Sequence, residues 1–323
     1  MDTGTHLVMG ITISGLTFAD PTVAASTATA TAVIAGVMLG SQAPDIDTVL
    51  KLRNNAVYIR HHRGITHSIP AVFIWPTLIT LVLLLLLPDA NVLHLWLWTF
   101  FAVALHVFVD IFNAYGTQAL RPFTKKWIAL GIINTFDPII FGLNVIAIMI
   151  WAFGADPVIT MSILYGTLVI YYIIRTWLHH AVKQAVQNTI PDVKDIYLSP
   201  TRYFFQYRVA ANSDTHHYVA RAYGRSITLL DKFKIEPLPE EELFEVAIQD
   251  ENLRSFLSFS PIYRFEIRKI KNNLTEVRLI DLRYRSNNRY PFVAVAQVDE
   301  HLKVVNSYTG WIFSEEKLRS KLG

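Results

Sequence analysis

The chain has no cysteine among its 323 residues. Disulfides and thiolate ligands are therefore excluded, and any metal must be held by nitrogen and oxygen. No Lys or Arg precedes Lys51, so the first segment lacks the basic region of a secretory signal and is expected to be retained as structure. Glutamate is missing from residues 1–178, where all 8 acids are Asp, against 8 Lys/Arg. The net charge of the whole chain is only +3. Nucleic-acid binding needs a concentrated basic face, so no nucleic-acid partner is expected. No internal repeat is visible either, which argues against a transporter built from repeated helices.

Long apolar stretches dominate the first half, at about residues 4–18, 22–40, 69–88, 92–113, 134–153 and 157–178. The second through sixth are near the length a bilayer needs, and the first is short. Residues 179–323 carry 21 Lys/Arg and 18 Asp/Glu, a soluble composition. After a polar helix at about 179–190, alternating segments at 203–210, 218–230, 263–270, 275–284 and 292–298 predict antiparallel strands, with a helix near 240–256. The expected fold is a polytopic α-helical membrane domain of about six helices over 1–178. A small, mostly β (α+β) soluble domain over 179–323 follows it. Lys51, Arg53, Arg60 and Arg63 fall in one loop and Arg121, Lys125 and Lys126 in another, while the alternate loops carry no cation. Those basic loops orient the chain with both termini, and the C-terminal domain, in the cytoplasm of a multi-pass cell-membrane protein.

This topology gathers polar residues from separate segments at one interface: His6, Asp45, Asp47, His61, His62, His67, His106, Asp110 and Asp137. Ionisable groups at membrane depth are costly, and their convergence argues for a shared site. His106 and Asp110 stand at i and i+4 of a helix and share a face. Asp45 and Asp47 flank Ile46 after Pro44. Imidazoles and carboxylates are a ligand set for a divalent metal, zinc first, with manganese, magnesium or iron as alternatives. Metal ligands are expected at His6, Asp45, Asp47, His67, His106 and Asp110, with one of His61 and His62 as ligand or general acid. Arg63 reads equally as a topology anchor or a phosphate clamp. Asp137, before Pro138, reads equally as a helix cap or a ligand. His94, Asp20, Asp89 and Asp156 read as caps or interface residues, and the pairs His179-His180 and His216-His217 as surface or junction residues.

Ala43-Pro44-Asp45-Ile46-Asp47, His61-His62-Arg63-Gly64-Ile65-Thr66-His67-Ser68, and the pair His106 and Asp110 resemble the YdjM/YfhP-type family of membrane-bound, metal-dependent hydrolases. Asn113-Ala114-Tyr115-Gly116-Thr117, Arg121-Pro122-Phe123 and Phe136-Asp137-Pro138 continue the pattern, and His6 followed by Gly10 fits its start. The resemblance covers about residues 1–150, and the C-terminal half looks most like the YfhP subgroup. A more distant similarity is to zinc-dependent phospholipase C and the nuclease P1 class. Those soluble enzymes also use Glu ligands and an N-terminal Trp, whereas this chain begins Met1-Asp2, which points to a mono- or dinuclear rather than a trinuclear centre.

Together these readings lead to an expected metal-dependent hydrolase acting on a phosphoester, lipid or lipid-linked, at the cytoplasmic face of the bilayer. The rival is a non-enzymatic membrane scaffold whose metal is structural, or a metal or proton transporter.

Overall fold

The computed structural model describes residues 1–52, 62–237, 242–270 and 273–322. The chain divides into two units, the first comprising Met1–Asp47, Arg63–His179 and Pro200–Phe204, the second Thr48–His62, His180–Ser199 and Phe205–Gly323. The first is helical and the second is built on antiparallel sheets.

The helical unit begins with α1 (Thr3–Leu16), capped by Asp2, whose carboxylate accepts from Thr5 N. A single turn, α2 (Pro21–Ala24), follows under an Asp20 cap, and α3 (Thr27–Gly40) starts at a Ser26 cap. Next come α4 (Ile69–Leu86), α5 (Val92–Ile111), α6 (Pro138–Ala152) and α7 (Pro157–Thr189). Three of these, α4, α5 and α7, are long and apolar enough to cross a membrane, while α3 and α6 are shorter apolar helices. The expected count of about six spans is therefore not established. Fourteen residues rise only about 21 Å against a hydrocarbon core of roughly 30 Å, and the caps at Asp20 and Ser26 are what cut the predicted 22–40 stretch short. The polar helix expected at 179–190 is no separate element: it is the end of α7.

Lipid tails give helices no hydrophobic reason to associate, so close approach of small residues must do it. Gly36 of α3 lies so near α5 that a Cβ there would come within 2.4 Å of Thr99 Oγ1 and 2.8 Å of Leu95 Cδ1. Val33, Val37 and Leu95 are fully buried in the resulting core. Between α5 and α6 the chain folds back on itself, with Thr117 and Ile128 exchanging backbone hydrogen bonds. Gly116 sits there at φ 68°, where a Cβ would strike the Ile128 carbonyl, so only glycine fits. Arg175 of α7 is 1 % exposed and donates Nε and Nη2 to the Ile132 carbonyl at 3.3 and 3.1 Å. It is an internal clamp on this fold-back.

In the second unit β1 (Asp195–Pro200), β2 (Gln206–Asn212), β3 (His216–Tyr223) and β4 (Ser226–Lys234) form one sheet in chain order. The segment expected as one strand at 218–230 is the β3–β4 hairpin, turning at Gly224 with φ 55°. The helix expected near 240–256 is two helices, α8 (Glu242–Gln249) and α9 (Glu251–Phe259), separated by Asp250, which caps the second. A second sheet, β5 (Tyr263–Lys269), β6 (Thr275–Asp281), β7 (Phe292–Val298) and β8 (Val304–Trp311), is also in chain order, and α10 (Glu315–Leu322) ends the chain. One face of this sheet packs Phe265 and Phe292 against Phe244 and Phe256 of α8 and α9. The other packs Ile280, Val293 and Val295 against Leu318 and Leu322 of α10.

Candidate metal centre

Three segments of the helical unit converge at the last turns of α5. His106 and Asp110 project together from its inward face, with His106 Nε2 3.7 Å from Asp110 Oδ2. Asp45 arrives on the 3-10 segment Ala43–Leu52 that follows α3, and His67 on a short turn, Ile65–His67, that leads into α4. His67 Nε2 lies 3.3 Å from Asp110 Oδ2 and 3.8 Å from Asp45 Oδ1, and His106 Nε2 lies 3.8 Å from Asp45 Oδ1. His67, His106 and Asp110 are at most 2 % exposed, and Asp45 is 9 % exposed.

These four residues form a group whose donor atoms lie within 4.8 Å of one another. A tetrahedral zinc site with bonds of about 2.0–2.1 Å requires donors roughly 3.3–3.4 Å apart, and the separations of 3.3–3.8 Å are close to that spacing. His106 Nε2, Asp45 Oδ1 and Asp110 Oδ2 are buried and make no hydrogen bond. Buried polar atoms without partners are costly; Asp110 Oδ2 already faces the Arg63 guanidinium, and a shared cation would also satisfy His106 Nε2 and Asp45 Oδ1.

The proton positions agree with ligation. His106 donates Nδ1–H to the Ser41 carbonyl at 2.7 Å, which leaves the Nε2 lone pair facing the group. Thr66 donates its hydroxyl proton to Asp47 Oδ2 at 2.6 Å, so its oxygen, 3.1 Å from His67 Nδ1, can only accept there. That places the His67 proton on Nδ1 and a second lone pair on Nε2.

The remaining expected residues occupy distinct places. His6 is 1 % exposed, stacks on the His106 ring at 3.6 Å, and puts Nε2 3.4 Å from Asp110 Oδ1, beside the four-residue group rather than within it. Asp47 accepts on Oδ2 from Arg63 N at 2.8 Å as well as from Thr66, and with Asp45 it also belongs to a second group of possible metal donors. Arg63, at φ 59° and 4 % exposed, donates Nη2 to the Met1 carbonyl at 2.5 Å and sets Nε 3.2 Å from Asp110 Oδ2. Its guanidinium is thus an internal partner of a site carboxylate. The amino group of Met1 also contacts Asp110. Asp137 caps α6, accepting from Ile139 N and Ile140 N on Oδ1 and from the Tyr171 hydroxyl on Oδ2, which uses both oxygens. His62 belongs to the second unit's segment Thr48–His62, and His61 lies outside the described residues. At the far end of α5, His94 pairs with Asp20 at 2.5 Å, and Trp98 donates to the same carboxylate.

Sequence reasoning assigned no role to three supports. Thr66 and the Ser41 carbonyl fix the imidazole tautomers. Asn113 donates Nδ2 to Asp110 Oδ1 at 3.3 Å, while its own Oδ1 accepts from Tyr115 N and Gly116 N. Thr66 and Asn113 stand inside the polar strings around His67 and after Asp110, which was the available signal. The Ser41 carbonyl, being backbone, gave none.

With this geometry in place, the comparisons are specific. Residues 1–181 match the model for the YdjM inner membrane protein family. The chain belongs to that family. Residues 191–233 match the YfhP middle domain and residues 242–322 the YfhP C-terminal alpha/beta plait domain. A relative from Bacillus subtilis (strain 168), "Uncharacterized protein YfhP", is 54 % identical over 323 residues, covering all of this chain and 98 % of its own. No solved structure matches the chain. The inner-membrane family and the apolar helices together place the protein in a membrane.

Proposed function

We propose that this family member is a membrane-bound, metal-dependent hydrolase of phosphoesters, lipid or lipid-linked, working at the cytoplasmic face. The observation that carries the reading is the buried set of two imidazoles and two carboxylates at the end of an apolar helix. That donor set suits zinc, manganese or iron better than magnesium, which prefers oxygen ligands and retained waters. A divalent ion held there would supply Lewis acidity, lowering the pKa of water toward neutrality and offsetting charge on a reacting phosphoryl group.

The chain's own residues have assigned tasks in this reading. Asp45, His67, His106 and Asp110 hold the ion, with His6 next to them. Thr66, Ser41 and Asn113 keep the donors aimed, and Arg63 balances the charge of Asp110. One of His61 and His62 serves as ligand or general acid. The basic loops put both termini and the C-terminal domain in the cytoplasm, which brings the site to the cytoplasmic leaflet.

A second reading is favoured by one observation: two His and two Asp complete a four-coordinate shell, the pattern of a structural site that staples helices. Turnover separates the two. Purified, metal-loaded protein is assayed against phospholipids, polyprenyl phosphates and nucleotides. The hydrolase reading expects metal-dependent release of product that is lost in Asp110→Ala. A protein that binds metal and gains thermal stability from it, yet turns over none of these substrates, would favour the staple.

A further inference from the structure

The second sheet has a charged face where β5 meets β6. Along β5, Tyr263, Phe265 and Ile267 alternate with Arg264, Glu266 and Arg268, and the strand period of two sends the charged set to the α10 side. Register places Glu266 opposite Arg278 and Arg264 opposite Ile280 on that same face. α10 covers Ile280, Val293 and Val295 with Leu318 and Leu322. Beside it lies a cavity of about 540 Å³ whose charged wall is Arg264, Arg268, Arg278, Arg289, Glu266 and Glu315. That volume falls within the roughly 300–1,000 Å³ of small-molecule sites.

The cations there outnumber their partners. Arg264 and Arg268 share Glu266 at 2.7 and 2.5 Å, and Arg278 is held between Glu276 at 2.8 Å and Glu315 at 2.5 Å. Arg289 donates to the Phe313 carbonyl at 2.8 Å and has no carboxylate partner among the described residues. Each guanidinium carries five N–H donors, far more than three carboxylates and one carbonyl absorb. Arg264 Nε is buried without a hydrogen bond. Arg289 is brought to the rim by a tight turn in which Asn287 and Asn288 take φ of 45° and 60°, a conformation asparagine tolerates better than most residues. Phe313, 58 % exposed, forms a flat apolar wall of the same cavity.

We propose that this cavity binds a phosphate-bearing small molecule, with Arg268 and Arg289 as its first contacts. Planar guanidiniums match phosphate in bidentate fashion. In the empty cavity Glu315 occupies Arg278 as an internal anion and competes with the ligand for it. The site is separate from the metal centre and does not depend on the hydrolase reading.

Isothermal titration of the full chain in neutral detergent tests this with three probes: inorganic pyrophosphate, ADP and a soluble short-chain phosphatidylglycerol. Pyrophosphate is expected to bind, and Arg268→Ala and Arg289→Ala each to weaken it about tenfold, the loss of one charge-assisted bond. Glu315→Gln should tighten binding severalfold by releasing Arg278, an effect that a merely structural ion-pair ladder would not produce. Asp110→Ala should leave the affinity unchanged. ADP binding tighter than pyrophosphate would identify a nucleotide site, and tighter binding of the short-chain lipid a headgroup site. Circular dichroism confirms that each variant keeps its sheet signal. The proposal is overturned by no pyrophosphate binding, by binding that ignores both arginine substitutions, or by loss of binding in Asp110→Ala.

Discussion

Which nitrogen of a histidine carries its proton decides whether that residue can be a ligand, and here two neighbours make the decision. Thr66 spends its single hydroxyl proton on Asp47, which forces the His67 proton onto Nδ1. Thr66→Val should therefore lower metal affinity about 10–100-fold, the usual effect of removing an outer-shell partner, with the fold retained and Thr66→Ser restoring most of the loss. Competition with a chromogenic chelator measures it; unchanged affinity in Thr66→Val would remove Thr66 from the site. Arg63 is equally specific. Its guanidinium lies against Asp110 at 4 % exposure, and breaking a buried pair by deleting one partner costs roughly 3–5 kcal/mol. Arg63→Ala should lower the thermal midpoint in detergent substantially, and Arg63→Lys should recover only part of it, because ammonium lacks the planar fork that reaches Asp110 and the Met1 carbonyl together. Full recovery by Lys would reduce Arg63 to a point charge, as a topology anchor requires.

At the scale of elements, packing of small residues is what joins the helices, and it makes a contrast between glycines. Gly36→Ala places a methyl against Thr99 and Leu95 and should destabilise by about 1–3 kcal/mol, the usual cost of overpacking. Gly166→Ala in α7 meets nothing within 4 Å and should be neutral or mildly stabilising, since Ala favours helix. Thermal shift of the two variants side by side checks the packing, and equal midpoints would contradict it. The apolar helices were legible because runs such as Ile69 to Leu87 leave no alternative reading. The lengths of α3 and the end of α7 were not: Asp20 reads as a cap from sequence, but Ser26 looks like an ordinary polar residue until its cap is seen, and a polar continuation of a helix has no boundary signal. β1 and β8 were missed because Asp195–Pro200 and Val304–Trp311 mix polar and apolar residues without clean alternation. The Tyr223-Gly224-Arg225 turn was overlooked between two runs of strand-forming residues.

Taken whole, the molecule sets a polar cluster at one end of an apolar bundle, and the loop charges make a definite prediction about sides. Reporter fusions at Asn91 and at the C-terminus should report opposite sides, with the C-terminus cytoplasmic; cytoplasmic signal from both would remove the argument for a one-sided site. The convergence of Asp45, His67, His106 and Asp110 was legible because charged groups in so apolar a half need a common reason. The place of Asp137 was not, because it has the same chemistry as Asp45 and Asp110 and differs in that backbone N–H groups and the Tyr171 hydroxyl take up both its oxygens. The most direct test of the account is metal content. Purified wild-type protein, loaded with zinc and desalted, should retain bound metal, and His106→Ala and Asp110→Ala should lose most of it. His94→Ala, at the other end of the same helix and paired with Asp20, should retain it in full. Elemental analysis of these four proteins gives the answer: equal retention by all of them, or none in the wild type, would contradict the metal centre.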